Sequence, residues 1–137
     1  AAHAAGSPFL NHTHLHSHSN MKLIVAIIRP DKLDEVQKAL AERDVYLMTV
    51  SDVRGCGRQR GYTEVYRGQE VTTRLIPKLK IELAVNEAFV EAAVEAIVHA
   101  ARTGDTGSVG DGKIFVPPLE DCARTRTGER GPGAIGP

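Results

Sequence analysis

The chain has 137 residues, 42% of them apolar, and no formal net charge. That is enough for one domain with a real core and too little for two. The charge balance argues against an open-ended grip on nucleic acid or an anionic membrane, and no apolar run reaches the ~20 residues that span a bilayer.

The first twenty residues carry His12, His14, His16 and His18 at alternate positions. They lack the apolar centre of a secretory signal, and alternating imidazoles suit metal chelation by an unstructured segment. We expect residues 1–20 to be a disordered His-rich expression tag and residues 21–137 to form the folded domain. Only His99 then remains in the domain, so no metal site is expected. Cys56 and Cys122 lack CxxC spacing, which argues against zinc and for free thiols.

Lys22 to Ile28 (KLIVAII) reads as a buried strand. Pro30 ends it, and Leu33, Val36, Ala39 and Leu40 then recur at helical spacing, giving an amphipathic helix over about 31–43. A second strand is expected from Val45 to Val53. The polar stretch from Gly57 to Arg74 has no core-forming period, which marks a functional or mobile loop. A third strand is expected from Ile76 to Val85. Asn86 suits the N-cap of a helix whose apolar face is Phe89, Val90, Ala93, Val94, Ile97 and Val98. A glycine-rich loop over 104–113 follows, then the strand-like KIFV and a last strand over Cys122 to Thr127. The tail over 128–137 is too rich in Gly and Pro to be regular. The order predicts an α+β, ferredoxin-like βαββαβ sandwich. Its helices cover one sheet face, and the apolar pattern of the other face predicts oligomerisation.

Gly107 to Lys113 fits the spacing GxxxxGK, in which backbone N–H groups and a lysine cradle phosphate. Ile114 occupies the place of the magnesium-binding hydroxyl, and a strand follows instead of a helix, which excludes a P-loop NTPase. Arg124 and Arg126, two apart on the expected strand, would share a face. Their planar forks match phosphate oxygens.

TGxxGDGKIFV, followed by RxRTGE, resembles the PII signal-transduction family. So do KLIVAIIRPDKLDEVQKAL, Met48-Thr49-Val50, GxGRQRGYTEVYRG and LIPKLKIEL, and the likeness extends over nearly all of Met21 to Ile135. The resemblance implies a cytoplasmic homotrimer with a long T-loop, here about 57–74, and adenine nucleotide bound between subunits. By position, Met48, Thr49, Gly57, Arg58, Gln59, Glu82, Gly110, Asp111, Gly112, Lys113, Arg124 and Arg126 would bind the nucleotide. Arg58, Gln59, Arg60 and Lys78 would receive a small anion, either 2-oxoglutarate or, as in inorganic-carbon branches linked to carboxysomes, bicarbonate. The T-loop would engage a transporter, enzyme or regulator, with no nucleic acid and no membrane insertion.

The chain departs from the family pattern at Cys56, where an aromatic is common, at Gln69, where other branches carry a phosphorylated serine, and in two further places. Val71 stands where many members carry a modifiable tyrosine, so no uridylylation is expected. Asp105 to Val109 make a longer stretch than usual before GDGK, and Asp105 replaces the usual lysine. Added negative charge beside a polyphosphate disfavours the more charged ligand, which points to ADP or AMP over ATP. A slow nucleotide hydrolase using the same cleft is the alternative. It lacks an evident general base, since His99 stands alone on a packing helix, so the chain is expected not to be an enzyme.

Overall fold

The computed structural model describes residues 20–56, 64–66, 69–71 and 74–136. The His-rich leader and the expected ligands Gly57, Arg58, Gln59 and Arg60 lie outside them. Strand β1 (Met21–Ile28) is followed by a 3-10 turn at Pro30–Lys32 and helix α1 (Leu33–Ala41). Then come β2 (Thr49–Gly55), a short ribbon of β3 (Glu64–Tyr66) and β4 (Gln69–Val71), and β5 (Ile76–Asn86). Helix α2 (Glu87–Ala101), β6 (Lys113–Phe115), β7 (Pro118–Leu119) and α3 (Pro132–Ile135) complete the order.

The main sheet runs β2-β5-β1-β6, with β7 extending β6 along β1, and β1, β2, β5, β6 and β7 pair antiparallel. This is the ferredoxin-like arrangement. Alternation along β1 decides the faces. Ile24, Ala26 and Ile28 are buried against the helices, with Ile81, Leu83, Val36, Leu40, Ala93 and Ile97 completing the core. The other face carries Leu23, Val25 and Ile27, flanked in register by Phe115, Lys113, Glu82 and Lys80. Phe115 is 52% exposed there.

Four expectations change. The second strand starts at Thr49 and not at Val45: Asp44 takes a positive φ of 62°, and Val45 turns inward to bury against the core. Asn86 occupies the N-cap of α2 without a side-chain cap bond. Its Nδ2 donates instead to the Pro132 and Gly136 carbonyls at 3.1 and 3.0 Å. The tail expected to be irregular contains α3, with Ala134 buried. The expected last strand is a turn. Arg124 N–H donates to the Glu129 carbonyl at 2.8 Å, Gly128 N–H donates to the Arg124 carbonyl at 2.7 Å, and Ala123 bridges Arg130. Gly128 and Gly131 have positive φ, and an Arg124–Glu129 ion pair closes the reversal. These local bonds outweigh the strand preference of the sequence. Arg124 and Arg126 therefore do not share a strand face.

Candidate functional site

The glycine-rich loop is built by sequence-specific constraints at each end. Helix α2 stops at Ala101, where Arg102 becomes extended. Gly104, Gly107, Gly110 and Gly112 all have positive φ. At Gly112 the need for glycine is absolute: a Cβ there would sit 1.7 Å from the Ile27 carbonyl oxygen, at φ 110°. The loop thus crosses tightly over the end of β1 and delivers Lys113 into register with Ile27.

Asp111 holds the loop's interior. Its carboxylate accepts from Thr103 N–H at 2.9 Å, Thr103 Oγ1 at 2.6 Å, Ser108 N–H at 2.8 Å and Arg29 Nε at 3.0 Å. Burial alone would raise its pKa. The bonds from Thr103, Ser108 and Arg29 outweigh that and hold the carboxyl well below the usual range. Asp111, expected to touch nucleotide, is thus committed to shaping the loop. Arg29 also donates to the Val109 carbonyl at 2.9 Å, and Lys78 Nζ donates to the Gly110 carbonyl at 2.6 Å. Two cations, one after β1 and one at the start of β5, therefore pin three consecutive loop residues. Lys78 is 8% exposed; burial, then the neighbouring Arg29 charge, lower its pKa, and Asp111 opposes them.

A cleft of about 690 Å³ opens beside this loop, lined by Val53, Gly55, Cys56, Lys78, Gly110 and Lys113 among others. That volume lies in the small-molecule range. Behind the loop a second cleft of about 710 Å³ runs under Thr106 and Ser108 to Val94, Ile97 and Val98 of α2. Gly110, Gly112, Lys113 and Lys78 come together at the first cleft.

Other predicted residues do not join them. Thr49 and Glu82 face each other across β2 and β5, with Met48 just before, at the opposite edge of the sheet from β6. Three strand spacings separate β2 from β6, about 14 Å. Arg124 and Arg126 lie at the far end of β1. The chain leaves β6 and runs past Leu119, which pairs with Met21, before reaching Arg124. Arg124 there bonds α3, whose ends Asn86 holds beside Met21. From Ile27 to Met21 along β1 is about 20 Å. The arginine pair and Lys113 of one protomer therefore cannot grip one phosphate.

Among the described residues, Lys113 and Arg126 are exposed and carry no ion pair. Arg124 is engaged. No group of three or more His, Cys, Asp or Glu is placed to hold a metal among the described residues. No helix among them is long and apolar enough to cross a membrane. Cys56 and Cys122 are free thiols. The residue missed from sequence is Arg29. The available signal was a cation set directly between a buried strand and Pro30, facing the loop that the strand supports.

The family model described as "Nitrogen regulatory protein P-II" matches residues 21–129. The chain is 54% identical over 115 residues to the nitrogen regulatory protein P-II of Rhodospirillum rubrum, covering 84% of this chain and 100% of that protein. It is 53% identical, with the same coverage, to the protein of that name from Synechocystis sp.. A solved structure of Arabidopsis thaliana PII bound to citrate matches with TM-score 0.66 and 36% identity, over 84% of this chain and 92% of the other. Fold, loop and sequence agree: the chain belongs to the nitrogen regulatory protein P-II family, whose role is regulatory signal transduction.

Proposed function

We propose that this chain senses adenine nucleotide, together with a small anion, and transmits their occupancy to a partner protein through the T-loop over 57–74. The crossing of Gly112 over Ile27, which sets Lys113 beside the cleft that Lys78 also lines, carries this reading. Gly110, Gly112 and Lys113 of one copy would take the phosphates. Arg124 and Arg126, and the Met48, Thr49 and Glu82 edge, would come from a neighbouring copy, since within one protomer the arginines lie a strand length, and the β2 edge three strand spacings, from Lys113. That requirement supports a closed homo-oligomer, a trimer by family resemblance. Asp111 would act from behind, by shaping the loop.

Arg58, Gln59, Arg60 and Lys78 would receive the anion. Citrate, bound by the Arabidopsis protein, is a carboxylate of the kind such a cluster suits. The relatives named for nitrogen regulation favour a role in nitrogen metabolism over one in inorganic carbon, with 2-oxoglutarate and bicarbonate both candidates for the anion. Asp105 adds negative charge to the same loop that would cradle the phosphates, which favours ADP or AMP over ATP. Partner identity would follow from the T-loop, and the protein would act in the cytoplasm as a binding switch.

Calorimetry on the purified assembly tests this. ADP, AMP and ATP are titrated alone and with 2-oxoglutarate or bicarbonate, into wild type and Lys113→Ala. Loss of a charge-assisted contact should weaken nucleotide by about 1.5–3 kcal/mol in the variant. Equal affinity in the two proteins would remove Lys113 from the site, and absence of heat with all three nucleotides would remove the function.

A further inference from the structure

Arg124 is already holding something. Its Nη1 donates to Glu129 Oε1 at 2.6 Å, and its Nη2 donates to the Gly133 carbonyl at 3.0 Å and the Ala134 carbonyl at 3.4 Å. One carboxylate and two carbonyl oxygens thus converge on one guanidinium, which is the oxygen set a phosphate group would offer. The carbonyls belong to α3, the last element of the fold. Asn86 holds α3 from its other side through the Pro132 and Gly136 carbonyls, and Gly131 N–H closes onto the Cys122 carbonyl at 2.9 Å. Two side chains, Arg124 and Asn86, therefore hold α3 itself, while Asp121 anchors Arg130 and Gly131 just before it. Glu129 is fitted closely: a Cβ on Gly133 would lie 2.6 Å from its Oε2.

Resting on the nucleotide reading above, we infer that Glu129 and the α3 carbonyls act as an internal stand-in for phosphate, so that nucleotide engagement by Arg124 and docking of the segment 128–136 exclude one another. Arg126, two residues away and unpaired, is free to make first contact. Arg124 follows only by leaving Glu129. Glu129 then sets affinity without touching ligand, and α3 reports occupancy of the site. A phosphate that takes Arg124 leaves the segment held by Asn86, by Asp121 on Arg130 and Gly131, and by the Gly131–Cys122 backbone bond, with one anchor fewer on α3.

The test uses the full chain and ADP. Glu129→Gln removes the competing charge but also lowers the local negative potential. Asn86→Ala loosens the same segment without changing charge, and Asn86 belongs to no proposed ligand contact. Both should bind ADP about two- to fivefold more tightly than wild type, the scale of a partly exposed ion pair or hydrogen bond. Hydrogen–deuterium exchange on the wild type gives an independent readout: ADP should speed exchange at the Gly131 and Ala134 amides. Tightening by Glu129→Gln but not by Asn86→Ala would mean simple long-range charge and would overturn the exclusion. So would unchanged affinity in both, or slower exchange of α3 with ADP. If wild type binds ADP and the variants match it, this inference alone fails. If wild type binds no adenine nucleotide, the function fails and takes the inference with it.

Discussion

The two ends of β1 carry the two halves of the candidate site, and they are built differently. At the Ile28 end, the loop is seated on the sheet. Gly112 lies over the Ile27 carbonyl, Asp111 is enclosed by four donors, and Arg29 and Lys78 reach the loop from the sheet. At the Met21 end, Arg124 sits in a surface turn held by exposed groups, Glu129 and the α3 carbonyls. Contacts of the first kind are preorganised, because four donors converge on Asp111 beside a Gly112 seated against the Ile27 carbonyl. Contacts of the second kind exchange at little free-energy difference. The contrast teaches where rigidity is placed: the end that would cradle phosphate is fixed, and the end that would respond is loose.

Substitutions at the two ends should separate accordingly. Gly112→Ala should be the most damaging. It forces a Cβ into the Ile27 carbonyl at a positive φ, and about 3 kcal/mol or more of stability should be lost. Urea denaturation measures it. A loss below about 1 kcal/mol would mean that the loop is not seated as described.

Next is Asp111→Asn, which should destabilise by about 2 kcal/mol, since an amide keeps the shape but loses charge-assisted acceptance. It also has a pH signature. The folded carboxyl is held below its unfolded value of about 3.9, so its contribution is complete above that pH. The contribution is lost as pH falls towards the folded value. Wild type should therefore lose stability below about pH 4 more steeply than Asp111→Asn. Parallel acid limbs would remove Asp111 from the account.

Arg29→Ala comes third, at about 1 kcal/mol, because its pair with Asp111 is partly solvent-exposed. It should also weaken ADP by disordering Val109 and Gly110. The smallest stability effect belongs to Arg124→Ala, below about 1 kcal/mol, because its ion pair with Glu129 is partly solvent-exposed. Its penalty in ADP affinity should be smaller than that of Lys113→Ala, because Arg124 first has to leave Glu129. If Arg124→Ala weakens ADP more than Lys113→Ala does, the contrast between the ends is reversed.

The fixed end was the more legible in sequence. KLIVAII, the apolar faces of both long helices and the GDGK spacing each carry their meaning within a few residues, and β1, α1, α2 and the loop appear where they are expected. The loose end was misread because its structure depends on distant partners. Asn86 looks like a helix cap until Pro132 and Gly136 arrive beside it, and Arg124 to Thr127 look like a strand until Glu129 folds back. Even at the fixed end, the part of Arg29 depends on Asp111, 82 positions away, and such a pairing leaves no local pattern. Asp111 is expected to be a ligand only by its position within the GDGK motif of the family resemblance. Its satisfied carboxylate shows how the enlarged loop keeps its shape.

The length of β1 has one more consequence. With Lys113 at one end of the strand and the arginine turn at the other, no single copy can own a complete binding site on the reading proposed here. A site would come into being only where two copies meet. Nucleotide would then favour the assembled state by mass action, and dilution would erode binding before any residue changed. In a cell holding two versions of the chain, one lacking Lys113 and the other lacking Arg126, some mixed junctions would pair an intact half with an intact half. Two inactive alleles would then restore part of the function together that neither has alone.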